Sequence, residues 1–214
     1  MHDMIKVLNM FSGIGGSRRG FQGDITAVEL DKDISEIYSD IWDLDTVHNT
    51  DAIEFVTKHH AEFDFIWASP PCPTHSQYRY NVGVRGKGFD GVVPDMTSLY
   101  GLITFLGHHH NGLWAVENVR PYYEPLIKPT AKVGRHLIWS NFPIPDLDLP
   151  SNGLRENNSI EEASKANGFD LSKYKVTGKR KILRNCTDAR VGEHVFNCAT
   201  KEISRQKKNE QEKS

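Results

Sequence analysis

Ile5-Lys6-Val7-Leu8-Asn9-Met10-Phe11-Ser12-Gly13-Ile14-Gly15-Gly16 is the stretch on which the fold turns. It reads as a buried strand, Ile5 to Phe11, that runs straight into glycines. Outward from it, short β-rich runs alternate with helical stretches. Strands are expected at Asp24 to Leu30, Thr46 to Asp51, Phe63 to Ala68 and Leu113 to Val119, with Arg135 to Phe142 as a sixth. Helices are expected around Asp33 to Trp42, with Asp31 or Asp33 as N-cap, and from Asp95 through Leu106. That alternation predicts an α/β fold, a parallel sheet with helices on both faces.

Composition agrees and narrows the classes. The chain has 214 residues, 38% hydrophobic and 25% charged, enough for one globular domain with a small appendage. A formal net charge of −2 argues against a coat on nucleic acid by bulk charge, but not against a local basic face. No apolar run is long enough to span a bilayer and Met1-His2-Asp3-Met4 lacks a secretory pattern, so a cytoplasmic setting is expected. Cys72, Cys186 and Cys198 have no CxxC spacing, which disfavours a disulfide framework or a zinc site. His108 to His110 fall at a predicted helix end, where cations suit the dipole, and no metal site is read there.

Three constellations carry chemistry. At the carboxyl end of the first strand, Phe11, Ser12, Gly13, Gly15 and Gly16 let a ligand approach the backbone. The dinucleotide pattern GxGxxG fails, because Arg18 stands where its third glycine belongs. Glu29, at the end of the second strand, suits the two hydroxyls of a ribose, and Asp51 suits an adenine amino group. Together they suggest an adenosine-containing ligand; tight turns with ordinary caps are the alternative.

Ser69-Pro70-Pro71-Cys72-Pro73-Thr74-His75-Ser76 follows the fourth strand. Two prolines fix where the thiol points, which suits a nucleophile, whereas a packed cysteine is usually embedded in an apolar run. His75 is either a base for Cys72 or a solvated loop residue. Ala115-Val116-Glu117-Asn118-Val119 ends the fifth strand. Emergence from an apolar strand is expected to raise the Glu117 pKa so that it holds a proton near neutrality. A surface glutamate at a strand end is the plainer alternative.

In this order the three sets resemble the cytosine carbon-5 DNA methyltransferases, from Ile5 to about Phe142, with a weaker echo at Lys181 to Phe196. Asn9 stands in place of that family's aspartate and Pro73 in place of its glutamine. The resemblance implies a Rossmann-like sheet that binds S-adenosyl-L-methionine through the residues above together with Pro70 and Leu99. It implies methyl transfer to carbon-5 of a cytosine flipped out of DNA, with Cys72 as nucleophile, Glu117 as acid and Asn118 bracing the cysteine loop. Arg135 falls where the family contacts the flipped base, although only one of two customary arginines is present. Ser76 belongs to the same motif. The glycine-rich stretch from Tyr80 to Val93, with Arg79, Arg85 and Lys87, is expected to be a mobile loop that covers the gap left by the base.

Beyond Phe142 the resemblance thins. Pro143, Pro145 and Pro150 read as a linker, and Ser159 to Asn167 as a capped helix. Lys173 to Arg184 collects six basic residues, of which Lys179, Arg180 and Lys181 are candidate phosphate contacts. The expected partition is a catalytic core over 1–142, a reduced target-recognition segment over 143–178, a basic helical segment packing back over 179–200, and a charged, frayed tail over 201–214. The family's closing glycine-asparagine-serine motif has no match in that tail. These departures imply a compact enzyme, of the sort phages carry. An RNA substrate and a non-catalytic nucleic-acid binder are the competing readings.

Overall fold

The alternation becomes a seven-stranded sheet in the order β3-β2-β1-β4-β5-β7-β6. The strands are β1 (Lys6–Met10), β2 (Asp24–Glu29), β3 (Thr46–Asn49), β4 (Phe65–Ala68), β5 (Leu113–Val119), β6 (Ala131–Val133) and β7 (His136–Ser140). The structure is a computed structural model that describes residues 4–76, 93–150 and 158–212. The expected loop with Arg79, Arg85 and Lys87 lies outside the described residues. Strands β1 to β5 run parallel. The purely parallel sheet is corrected at one edge, where β7 pairs antiparallel with both β5 and β6. A short connection of two residues between β6 and β7 forces their antiparallel pairing, because a parallel return needs a long crossover.

Strand alternation sends side chains to two cores. Val7, Phe65, Trp67, Leu113, Ala115 and Ile138 face one side, and Leu8, Ile66, Ala68, Trp114, Val116 and Trp139 the other. On the second side lie α2 (Ala52–His59) and α3 (Leu102–His109), the latter entered through a π-helical turn at Thr97–Gly101. On the first side lies α6 (Ala189–Gln211), presenting Val191, Val195, Phe196, Ala199 and Ile203. Phe21 joins these layers, its ring 5.8 Å from Trp67 and 5.5 Å from Phe196.

The last helix changes the reading of the tail. Order continues to Gln211 where a frayed segment was expected from Lys201. Good helix formers fill this stretch, Ile203 extends the buried stripe, and Arg205 pairs with Glu202 at 2.8 Å. Nor is the stretch after Phe142 a free linker. Phe142 and Ile144 are buried, and the Leu147 and Gly134 backbones hydrogen-bond between that stretch and the β6–β7 edge.

A third core holds α1 (Lys32–Ile41), α4 (Ile160–Asn167) and α5 (Lys179–Arg184) together through Ile14, Ile37, Phe169, Leu171 and Leu183. Asp31 caps α1, and Ser159 with Glu162 forms a capping box on α4. Among the described residues no helix is long and apolar enough to cross a membrane.

Candidate active site

The sheet order reverses between β1 and β4, because β1 leads outward to β2 and β4 leads to β5 on the other side. Such a switch point leaves a crevice at the carboxyl ends of the two strands. Phe11 to Gly16 leaves β1 there and Ser69 to Ser76 leaves β4 there.

The first loop is held in an unusual backbone. Phe11 (φ 53°), Gly13 (φ 55°) and Gly15 (φ 89°) are all left-handed, and Phe11 is the only non-glycine so among the described residues. A side chain at Gly15 would meet Trp42 Nε1 at 2.2 Å, where the indole donates to Ile14 O at 3.1 Å. Glu29 folds back on this turn, accepting from Gly13 N at Oε2 and Asp31 N at Oε1, each 2.9 Å. Ser12 Oγ is buried without a protein partner, and exposed Leu30 adds an apolar surface beside Glu29. An unpaired hydroxyl, a strained backbone and a carboxylate around one crevice fit a nucleoside-bearing cofactor. Asp51 caps α2, with Oδ1 accepting from Glu54 N at 2.8 Å. Leu99 is buried in the core and Pro70 beside the crevice is buried too.

The second loop is a turn closed on Cys72, whose carbonyl accepts from His75 N and Ser76 N at 3.0 Å. Asn118 Nδ2 donates to Pro70 O at 3.1 Å and ties the turn to β5. His75 is neither solvated nor a base for the thiol. It is buried, with Nδ1 2.6 Å from Tyr123 Oη and Nε2 3.1 Å from Asp95 O. Both nitrogens are thus engaged in fastening this turn to the segments at 95 and 123. Burial pushes the half-buried Cys72 thiol above its ordinary range, and the Glu117 charge adds to this; Arg135 and Arg184 pull the other way. Cys186, more deeply buried, is pushed up to about 12.

Glu117 sits on β5 facing the α6 side of the sheet. Burial opposes its charge, but His136 and hydrogen bonds outweigh that and hold the carboxyl below its ordinary range. The expected rise is therefore corrected. His136 Nδ1 lies 2.5 Å from Oε1, Ser69 Oγ donates to Oε2 at 2.8 Å, and Thr187 Oγ1 lies 3.4 Å from Oε2. Sequence reasoning missed all three as partners. Ser69 and His136 stood beside motif residues, whereas Thr187 carried no local signal. Arg135 is exposed, with Nε 3.5 Å from His136 Nε2.

Thr187 reaches Glu117 because α6 and the turn before it lie close against the first loop. A Cβ at Gly192 would meet Ser17 O at 2.5 Å, so only glycine allows this approach. Beside Thr187 opens a cleft of about 380 Å³ whose lining includes Arg19, Lys165, Asn167 and Arg190. The basic residues of α5 lie around buried Leu183. Lys181 and Arg180 are exposed, and Lys179 Nζ reaches Ser172 O at 3.3 Å. Arg184, at the end of α5, is close enough to Cys72 for its charge to be felt.

Residues 5–90 match the family described as C-5 cytosine-specific DNA methylase. Among solved structures, the chain is similar to the methyltransferase EhMeth of Entamoeba histolytica. The identity is 12% and the TM-score 0.51, over 94% of this chain and 99% of that one. It is also similar to a DNMT2 mutant from Spodoptera frugiperda, at 17% identity and TM-score 0.44, over 73% of this chain and 61% of that one. No curated protein sequence matches. The likeness to EhMeth, at this identity, is one of fold. Fold and matched stretch agree: the chain shares the fold of a methyltransferase, and residues 5–90 match a methylase family. The resemblance to the C-5 cytosine-specific methylases seen in the sequence is borne out over residues 5–90.

Proposed function

We propose that this protein transfers a methyl group from S-adenosyl-L-methionine to carbon-5 of cytosine in DNA, through a covalent Cys72 adduct on a flipped-out base. The observation that carries this is the pairing, across neighbouring strands, of a proline-held thiol with a buried carboxylate whose charge that thiol feels. Carbon-5 of cytosine is a weak nucleophile, and a thiolate added at carbon-6 makes the ring an enamine that can attack a methyl sulfonium.

Cys72 gives up its proton to solvent and supplies that thiolate, with Arg135 and Arg184 favouring the charged form. Glu117 carries a proton to ring nitrogen 3, where negative charge develops as the thiolate adds. Asn118 fixes the Pro70 carbonyl and so the direction of the thiol. Phe11, Ser12, Gly13, Gly15, Gly16, Glu29, Asp51, Pro70 and Leu99 are assigned to the cofactor. When bound, that cofactor supplies an electrophilic methyl group at the mouth of the crevice. Ser76, Arg79, Arg85, Lys87, Lys179, Arg180 and Lys181 are assigned to the nucleic acid, with phosphate contacts that weaken steeply with salt.

The test is incubation with S-adenosyl-L-methionine and DNA containing 5-fluorocytosine, where fluorine cannot leave as a proton does. Wild-type protein is expected to form a covalent complex and Cys72→Ser none, with cofactor binding retained by the variant. Trapping on fluorocytosine RNA but not on DNA of varied sequence would replace the substrate. Trapping on neither would remove the mechanism.

A further inference from the structure

The cleft beside Thr187 has no role in the reaction above, yet its walls are closely built. One wall is the first loop with the residues after it, another is the end of α4, and the third is the turn that leads into α6. Glycines set how near these walls come. A Cβ at Gly16 would stand 2.6 Å from Thr187 O, and one at Gly168 would stand 2.7 Å from Arg19 Nη1. Gly168 is left-handed, at φ 69°, and closes α4. Its missing side chain also lets the Arg19 guanidinium settle over Phe169, 4.4 Å from the ring centre.

Three cations line this cleft against one carboxylate, Asp188, among the described residues. Arg190 donates to Asp188 from Nε at 3.0 Å and from Nη2 at 2.6 Å, and from Nη2 to Pro150 O at 3.0 Å. Both hydrogens on its Nη1 stay available. Arg19 donates from Nη2 to Gly168 O and keeps the rest of its fork. Lys165 is exposed and has no hydrogen bond or ion pair among the described residues. Two guanidinium groups are thus held in place before any ligand arrives, with a free ammonium beside them. Such forks match the oxygens of a phosphate, and fixing them beforehand lowers the entropy lost on binding.

We propose that this cleft seats a nucleotide flanking the target cytosine on the substrate strand, with its phosphate taken by Arg19, Lys165 and Arg190. This rests on the function proposed above and adds where the strand runs. A lone phosphate would leave most of the cleft's 380 Å³ unfilled, whereas a nucleotide suits it. Thr187 sets the position along the strand. It lines the cleft and lies 3.4 Å from Glu117 Oε2, so a strand whose target base meets Glu117 passes directly into the cleft.

Binding of the full chain to fluorescent DNA over a salt series, or to RNA should the fluorocytosine trap select it, reads this contact without turnover. Lys165→Gln removes an unpaired charge from an exposed helix position and should fold as wild type. It should weaken binding roughly 10-fold at moderate salt and reduce the slope of log affinity against log salt by about 1. Lys58→Gln, on α2 across the sheet, should change neither. Replacing one linkage at a time by a neutral methylphosphonate locates the phosphate. One linkage flanking the trapped cytosine should weaken wild type as much as Lys165→Gln does, and should weaken that variant no further. An unchanged slope in Lys165→Gln, or no linkage coupled to it, overturns the proposal. So does a loss of S-adenosyl-L-methionine affinity in Lys165→Gln, which would put the cofactor in the cleft. Wild type that traps neither DNA nor RNA overturns the reaction instead, while the salt slopes of wild type and Lys165→Gln still read the cleft.

Discussion

The sheet half of the molecule and the lobe formed by residues 158–211 are built on different principles. In the sheet, β1, β4 and β5 are buried on both faces, and that burial can be inferred from their own nearly continuous apolar runs. In the lobe, burial is conferred by distant partners. Arg19 lies over the Phe169 ring and donates to Gly168 O, while Tyr174 Oη reaches Asp40 at 2.5 Å. The candidate site draws on both, since Glu117 comes from the first region and Thr187 from the second. Local pattern therefore explains where the site is, and long-range packing explains its electrostatics.

This contrast can be broken first within the sheet half. Asp45 receives both Arg18 Nε at 2.5 Å and Nη2 at 2.7 Å, as well as Tyr38 Oη at 2.8 Å, and its side chain is only 3% exposed. Asp45→Ala leaves a part-buried guanidinium without its anion and should cost about 3–5 kcal/mol, read as a lower urea midpoint. A loss below about 1 kcal/mol would mean that the first loop is braced by the lobe instead. A smaller effect is expected where the regions meet. Gly192→Val must push α6 off the Ser17 carbonyl, at a cost of about 1–3 kcal/mol, with faster proteolysis confined to the C-terminal helix. Cleavage spread over the whole chain would show that the two regions unfold together.

The smallest effect is a slope with pH. Burial makes His75 and His110 harder to protonate than an ordinary histidine at 6.5. Their contribution to stability is full above that value and is lost as pH falls from it through the lower folded values. Melting temperature should accordingly begin to decline below about pH 6.5, ahead of the carboxylate range. A flat profile there would mean that both imidazoles take a proton as readily folded as unfolded.

Much of the sheet was legible from residues. Leu113 to Val119 matches β5, and Asp31 and Ser159 cap the helices that follow them. β6, at three residues, is too short to alternate visibly. Asp51 caps α2, as the alternative of an ordinary strand-to-helix turn allows. The site was legible as residue types and not as protonation states. The apolar strand around Glu117 pointed to a raised pKa, and a histidine 19 residues away, with hydrogen bonds from Ser69 and Thr187, reverses the direction.

Thr187 also gives the protein a history. During synthesis β1, β4 and β5 leave the ribosome long before the residue that completes the Glu117 contacts, so the crevice exists first in an unfinished form. A nascent chain that has made Cys72 and Glu117 but not the turn at 187 has both side chains without the full setting around the Glu117 carboxylate. The crevice is complete only once α6 packs against Ser17 and brings Thr187 to Glu117.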